Sequence, residues 1–130
     1  MPVKPGCLNL MAPFGGDKNG GQDSARLSFD YYAPGCRKVF KVYSHYETLI
    51  KAEVERVIGK EAETGFSKTK TASRLPFRGA RVLECRVNVG TIPPIRSAFV
   101  LKQGVVTVVF LSTDIQKSVF TKELDLFLRS

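Results

Sequence analysis

The spacing of apolar and polar residues predicts three consecutive strands in the second half of the chain. In residues 80–89, Leu83, Cys85, Val87 and Val89 alternate with polar side chains, which is the period of a strand with one buried face. After a break at Thr91–Pro94, two further apolar runs, Ile95–Lys102 and Val105–Leu111, flank Gln103-Gly104. Because glycine readily adopts a positive φ, this dipeptide predicts a two-residue hairpin loop.

Helical spacing predicts two amphipathic helices. The first would begin at Ser44, whose hydroxyl can cap the first turn, while Glu47 reaches back to complete a capping box. It would run to about residues 60–63 and end by Gly65. The second covers Ser118–Leu128. The apolar faces of these helices consist of Ile50, Val54, Val57 and Ile58 in the first and Phe120, Leu124, Phe127 and Leu128 in the second.

The N-terminal part of the chain has a different composition. Residues 1–26 are rich in glycine and proline and have little apolar surface, so an irregular arm is expected there, followed by one short strand near Leu27–Tyr32. A turn at Gly35 and the β-branched and aromatic residues of Arg37–Tyr43 predict another strand. The polar, basic stretch Phe66–Gly79 contains proline and glycine and is predicted to be irregular.

Together these elements predict a small α+β domain, residues 37–130, preceded by an irregular arm, residues 1–36. The predicted order is β-α-β-β-β-α, with an antiparallel sheet that is covered by helices on one face and exposed to water on the other. The exposed face of the three-stranded part would carry Glu84, Arg86, Arg96 and Lys102.

Composition fits one folded domain. The chain has 130 residues, 43% of them hydrophobic, and no apolar run long enough to span a membrane. No apolar segment follows Lys4, so no signal peptide and a cytoplasmic location are expected. The three cysteines are widely spaced and the one histidine, His45, is predicted to lie in an exposed helical turn, so we expect reduced thiols, with Cys85 in the core, and neither a metal site nor a cofactor.

Positive charge is concentrated in one third of the chain. The net charge is +8, and residues 64–104 contain eight cationic side chains against one acid, Glu84. Clustered cations attract polyanions and gain affinity by counterion release, so nucleic acid is the predicted partner. A patch that serves solubility and an acidic protein partner are the alternatives. The predicted nucleic-acid-binding residues are Lys68, Lys70, Arg74, Arg78, Arg81 and Lys102.

Four segments occur in an order and spacing that resemble a known family. They are the strand Arg81–Asn88, the pair Ile95-Arg96 at the start of the next strand, the apolar strand Val106–Leu111, and Gln116–Ser118 at the start of the last helix. This pattern resembles the RelE/ParE superfamily of small bacterial toxins, especially the HigB-like branch found in phage-derived loci. The resemblance covers roughly residues 38–128.

The resemblance implies a RelE-like fold and a ribosome-dependent mRNA endonuclease that an antitoxin protein keeps in check. Such enzymes need no metal, because they drive the 2′-hydroxyl of the RNA onto the adjacent phosphate and use cations to stabilise the charge that develops. Position by position, Arg86 matches a strand residue that faces RNA, Arg96 matches the arginine that contacts the scissile phosphate, and Lys117 matches the lysine that opens the last segment.

The chain departs from the family pattern at two places. Ile95 stands where relatives have an aromatic residue, and residues 112–114 stand where relatives often have a tyrosine or histidine. Asp114 is the candidate base there. Three other functions stay open: a non-catalytic module that binds RNA, DNA or the ribosome, a phage structural or interaction protein, and action on gyrase, as in other members of the superfamily.

Overall fold

A computed structural model describes residues 27–114 and 116–130, and the arm predicted for residues 1–26 lies outside them. The fold is α+β, as predicted, with a five-stranded sheet and three α-helices. Within the described residues, no helix combines the length and apolarity needed to cross a membrane. The elements are β1 (Ser28–Tyr31), α1 (Ala33–Val42), α2 (Glu47–Ala62), β2 (Lys70–Thr71), β3 (Leu83–Val87), β4 (Ile95–Lys102), β5 (Val105–Ser112) and α3 (Lys117–Arg129).

The sheet has the strand order β1-β5-β4-β3-β2. The predicted meander is confirmed, because β3, β4 and β5 pair antiparallel in sequence. Its hairpin loop has positive φ at both central residues, 53° at Gln103 and 80° at Gly104, as in a type I′ turn. The short strand predicted near residue 30 is also confirmed, but it pairs parallel to β5, so the sheet is mixed. The basic stretch contributes the two-residue edge strand β2.

The strand predicted at Arg37–Tyr43 is wrong, because this segment forms most of α1. Pro34 lies in the first turn of the helix, where its missing N–H is not needed. Cys36 and Val39 are buried three residues apart on one side, while the cationic residues between them are exposed. The β-branched and aromatic residues therefore follow a helical period, and Gly35, expected in a turn, lies inside the helix against β5. The predicted boundary between residues 36 and 37 falls inside α1.

The predicted capping box is not formed at the start of α2. A 3-10 turn, Ser44–Tyr46, connects α1 to α2, and the residue before the helix, Tyr46, makes no side-chain capping bond. The predicted end is close to the observed one, Ala62, and the buried face of Ile50, Val54 and Ile58 agrees with the helical spacing.

Helices cover both faces of the sheet, so the prediction of one water-exposed face is wrong. On one face, α1 and α2 enclose the larger apolar cluster, which includes Phe99 and Val108. On the other, Phe120 and Leu124 of α3 pack against Ala98, Val100 and Val109. Near-continuous apolar strands such as β4 and β5 are typical of sheets that are buried on both sides.

A bulge in β5 widens the apolar surface under α3. Ala98 pairs with Phe110 but Phe99 pairs with Val108, which leaves Val109 as an extra residue. As a result Val109 and Phe110 both face α3, although they are adjacent in sequence. The Phe110 ring lies 5.2 Å from Phe127 and 6.0 Å from Phe120, centre to centre.

Both described thiols are free; Cys36 is buried and Cys85 is partly buried. Burial raises the pKa of Cys85 to about 11, although its contact with Ser97 opposes the rise, and burial raises the pKa of Cys36 to about 12. Because the thiolate is the reacting species, we expect alkylation of Cys85 by iodoacetamide at pH 8 to be about a hundredfold slower than in unfolded protein. Mass spectrometry of a Cys7→Ser variant measures both sites; equal rates in folded and urea-unfolded protein would contradict the expectation.

Candidate nucleic-acid interface

Two arginines lie side by side at one end of the sheet. Arg86 of β3 and Arg96 of β4 are paired directly across the strands and project from the face that carries α3. Directly opposed residues have Cβ atoms about 5 Å apart, and like charges in this arrangement repel each other. Arg86 is exposed and makes no ion pair with any residue that the structure describes. The pair therefore creates a local positive potential that favours an anion.

A buried carboxylate holds this end of the sheet together. Glu84 of β3, with a side chain only 3% exposed, accepts a hydrogen bond from Nη1 of Arg96 at 2.7 Å and another from Nζ of Lys117 at 2.5 Å. Lys117 is the first residue of α3, so the carboxylate links β3, β4 and the last helix. A buried carboxylate is tolerated when cations and hydrogen bonds compensate its lost hydration, which is the case here.

Arg96 is held from more than one direction. Its side chain is 17% exposed, and its guanidinium carbon lies 5.9 Å from the ring centre of Phe120. The bond to Glu84 and the packing against the ring restrict its orientation, so little conformational freedom remains to be lost when a ligand binds. Lys117 is half exposed and correspondingly less constrained.

Four of the predicted cations line one cavity, of about 260 Å³, at the edge of the sheet. The cavity also contains two acids, of which Glu84 is engaged as described and Glu61 accepts a hydrogen bond from the Thr69 hydroxyl. Lys70 pairs across the strands with Glu84, which places the edge strand β2 beside the arginines. The cations of this group, named the edge-cavity cations below, are Lys68, Lys70, Arg86 and Arg96.

Asp114, the candidate base, lies elsewhere. It lines a cavity of about 210 Å³ between α1 and the end of β5, together with Glu123 and Lys38. Its backbone N–H donates to the Ser112 hydroxyl, which in turn donates to Glu123. His45 is exposed in the 3-10 turn between α1 and α2. Neither side chain lines the edge cavity.

The remaining predicted cations lie toward the other end of the sheet. Lys102 ends β4, six residues beyond Arg96, which corresponds to about 20 Å along an extended strand. Arg78 lines a cavity with Lys102. Arg81 lies just before β3 at the same end of the sheet as Lys102, because Leu83, the first residue of β3, pairs with Phe99 near the end of β4. Arg74 is exposed in the loop that precedes Arg81. The structure thus divides the predicted nucleic-acid-binding residues into two groups.

Sequence reasoning missed the role of Glu84, which it placed on an exposed face. The available signal was that Glu84 is the one acid in the most basic third of the chain and lies between apolar residues of a strand. A carboxylate that is buried at such a position needs cations beside it, and the surrounding sequence supplies them.

Two further observations bear on identity. Among residues 27–114 and 116–130, no group of three or more His, Cys, Asp and Glu side chains is placed to hold a metal ion. Comparison of the chain with models of known protein families, with curated proteins and with solved structures returns no match.

Proposed function

We propose that this protein is a metal-independent mRNA endonuclease that acts on the ribosome, similar to toxins of the RelE/ParE superfamily in the HigB-like branch. One observation carries the proposal. Three of the four segments on which the resemblance rests meet around Glu84, although they are far apart in sequence: Arg86 on β3, Arg96 on β4 and Lys117 on α3. A phosphate-binding centre needs several cations that converge on one point, and these segments supply them.

The arrangement suits phosphate chemistry. A guanidinium can hold a phosphate through two parallel hydrogen bonds, and Arg86 is exposed for this purpose. Arg96 is pre-oriented by Glu84, so it can stabilise charge that develops on the reacting phosphate without first being reorganised. The other edge-cavity cations, Lys68 and Lys70, are exposed and extend the positive surface along a strand of RNA.

The proposed partners follow from this charge. A messenger RNA on the ribosome presents the phosphates, and an antitoxin would inhibit the protein by placing acidic side chains over the edge-cavity cations. Such an inhibitor gains affinity from electrostatic complementarity and competes with RNA for the same residues. The cytoplasm is the proposed location, since translating ribosomes are found there.

A non-catalytic RNA- or ribosome-binding module is the second candidate. Two observations favour it: Glu84 already pairs with Arg96 and Lys117 and so reduces their positive charge, and Asp114 lines a different cavity from the arginines. Removal of the 2′-hydroxyl proton needs a base within hydrogen-bond reach, so this separation weakens the case for catalysis.

Expression in bacteria under a tight inducible promoter tests the proposal. After induction, we expect growth arrest and new mRNA 5′ ends inside coding regions of actively translated messages. Arg86→Ala should reduce these ends at least about tenfold, the effect of one lost phosphate contact in a pre-organised site. Because it removes a like-charge pair, this variant should fold as well as the wild type. Arg37→Ala, which removes an exposed cation from α1, is the matched control and should leave cleavage unchanged.

The outcomes separate the candidates. Intact mRNA with normal growth would contradict cleavage and favour the binding module. Growth arrest with intact mRNA would also contradict cleavage and would favour the gyrase-directed relatives. Cleavage that persists in both Arg86→Ala and Arg96→Ala would remove the edge cavity as the site, provided that thermal melts show both variants folded.

A further inference from the structure

A tight turn presents Arg78 at the end of the sheet that is remote from the edge cavity. Phe77 and Ala80 exchange two backbone hydrogen bonds of 2.9 Å, so Arg78 and Gly79 form a two-residue hairpin loop. Both have positive φ, 50° at Arg78 and 81° at Gly79. A non-glycine residue with positive φ is strained, and such strain persists only where the surrounding structure holds the residue in place.

Two aromatic rings hold Arg78. Its guanidinium carbon lies 4.9 Å from the ring centre of Phe77 and 5.2 Å from that of Tyr32. The two rings pack edge to face at 5.1 Å, and Tyr32 also contacts Phe127 of α3, so the platform under the cation is anchored to the second apolar cluster. Arg78 is nevertheless exposed, and it makes no ion pair with any residue that the structure describes.

A cavity of about 230 Å³ opens beside this arginine. Its walls combine apolar surface from Phe77 and Val105 with polar groups of Lys102, Gln103 and Thr107, and none of its lining residues is acidic. Gln103 has positive φ in the neighbouring hairpin loop, so two tight turns frame the cavity. Arg81, exposed just before β3, adds a further cation at this end.

We propose that this cavity binds one nucleotide of single-stranded RNA, as a second contact separate from the edge cavity. The base stacks on the Arg78 guanidinium, Gln103 and Thr107 hydrogen-bond to its edge, and Lys102 holds a flanking phosphate. Bases of single-stranded RNA stack readily on arginine planes and on aromatic groups. The apolar wall matches the flat face of a base and the polar groups beside it match the base's edge, so we favour RNA over an acidic protein at this cavity.

Fluorescence anisotropy with a labelled, unstructured oligoribonucleotide tests the site on the full-length protein. We expect Arg78→Gly to weaken binding about tenfold, because it removes the stacking group and relieves the backbone strain. Arg78→Lys keeps the positive charge but loses the planar guanidinium on which a base can stack. It should therefore weaken binding several-fold with little change in the salt dependence of the affinity. Lys102→Gln should weaken binding and lower the slope of log affinity against log salt by about one.

Further variants separate loss of binding from loss of folding. If Arg78→Gly folds poorly in a thermal melt, Lys102→Gln still tests the cavity from a residue outside the strained turn. Unchanged affinity in Arg78→Lys and Lys102→Gln would overturn the proposal. Equal displacement of the RNA by polyglutamate at matched charge would also overturn it in favour of an acidic protein partner. The readout is binding alone, so loss of mRNA cleavage in Arg86→Ala neither supports nor contradicts this second site.

Discussion

Replacing Gly35 by alanine is expected to lower the free energy of unfolding by about 3 kcal/mol, the upper range for forcing extra volume into a packed site. An alanine Cβ at this position would lie 1.8 Å from the carbonyl oxygen of Val109 and 3.0 Å from the ring of Phe127. The oxygen belongs to the backbone of β5 and cannot rotate away, so α1 must move as a whole. Urea denaturation followed by far-ultraviolet circular dichroism measures the loss.

Gly59→Ala provides a matched control in α2. No atom lies within 4 Å of a Cβ built at Gly59, so this change should raise stability by about 0.5–1 kcal/mol through the better helix propensity of alanine. The same substitution therefore has opposite expected signs at two helical positions. A stabilising effect of Gly35→Ala would contradict the close packing of α1 on the bulge of β5.

This contact also bears on the candidate site. α1 packs beside the bulge residue Val109, and α3 packs on the same bulge from the other face. A shift of α1 would press on Phe127 and displace α3, whose first residue, Lys117, bonds to Glu84. We expect Gly35→Ala to disturb the edge-cavity cations as well as the fold.

Replacing Glu84 by glutamine is expected to lower the free energy of unfolding by about 2 kcal/mol while increasing the affinity for RNA. Removal of one partner from a buried ion pair costs about 3–5 kcal/mol, and the half-exposed Lys117 reduces that figure because it can turn toward water. The amide keeps the shape of the side chain but removes the negative charge that Glu84 places beside Arg96 and Lys117, next to Arg86. The same cations then become available to phosphate.

Glu53→Gln is the control for this prediction. Glu53 pairs with Arg56 at 2.6 Å on the exposed surface of α2, where water and salt screen the charges, so its loss should change stability much less than the loss of Glu84. Sulfate should restore stability to Glu84→Gln more than chloride at equal ionic strength, because an anion bound between the arginines replaces the lost carboxylate. Equal losses in the two variants, or no difference between sulfate and chloride, would contradict the role of Glu84 as an internal counter-ion.

Local patterns in the chain were sufficient to predict most elements of the sheet. The alternation around Leu83 and Val87, the apolar runs of β4 and β5, and the turn at Gln103-Gly104 each depend on neighbouring residues alone. The same holds for the apolar face of α3. The segment at Arg37–Tyr43 was misassigned because β-branched and aromatic residues favour strands only weakly, and burial of Cys36 and Val39 against β5 overrode that preference.

The candidate site was predicted in composition but not in geometry. The sequence singled out Arg86, Arg96 and Lys117, and the structure brings them together, whereas Asp114 lies in another cavity. The pairing of Arg86 with Arg96 depends on the register of β3 and β4. A slip of one residue would place the two side chains on opposite faces of the sheet. The burial of Glu84 depends on α3, which crosses the face that alternation alone would leave to water.

The sequence by itself therefore determined that this protein has an α+β fold, a strand meander, an amphipathic last helix and a strong concentration of positive charge. Each of these follows from residue type and spacing within a short window. Only the tertiary structure decided that both faces of the sheet are covered and that Glu84 pairs with two cations. It also decided that the predicted cations separate into two groups, with Arg96 and Lys102 about 20 Å apart along β4. The physical reason is that charge compensation and burial act between residues distant in sequence, so they depend on register and helix placement.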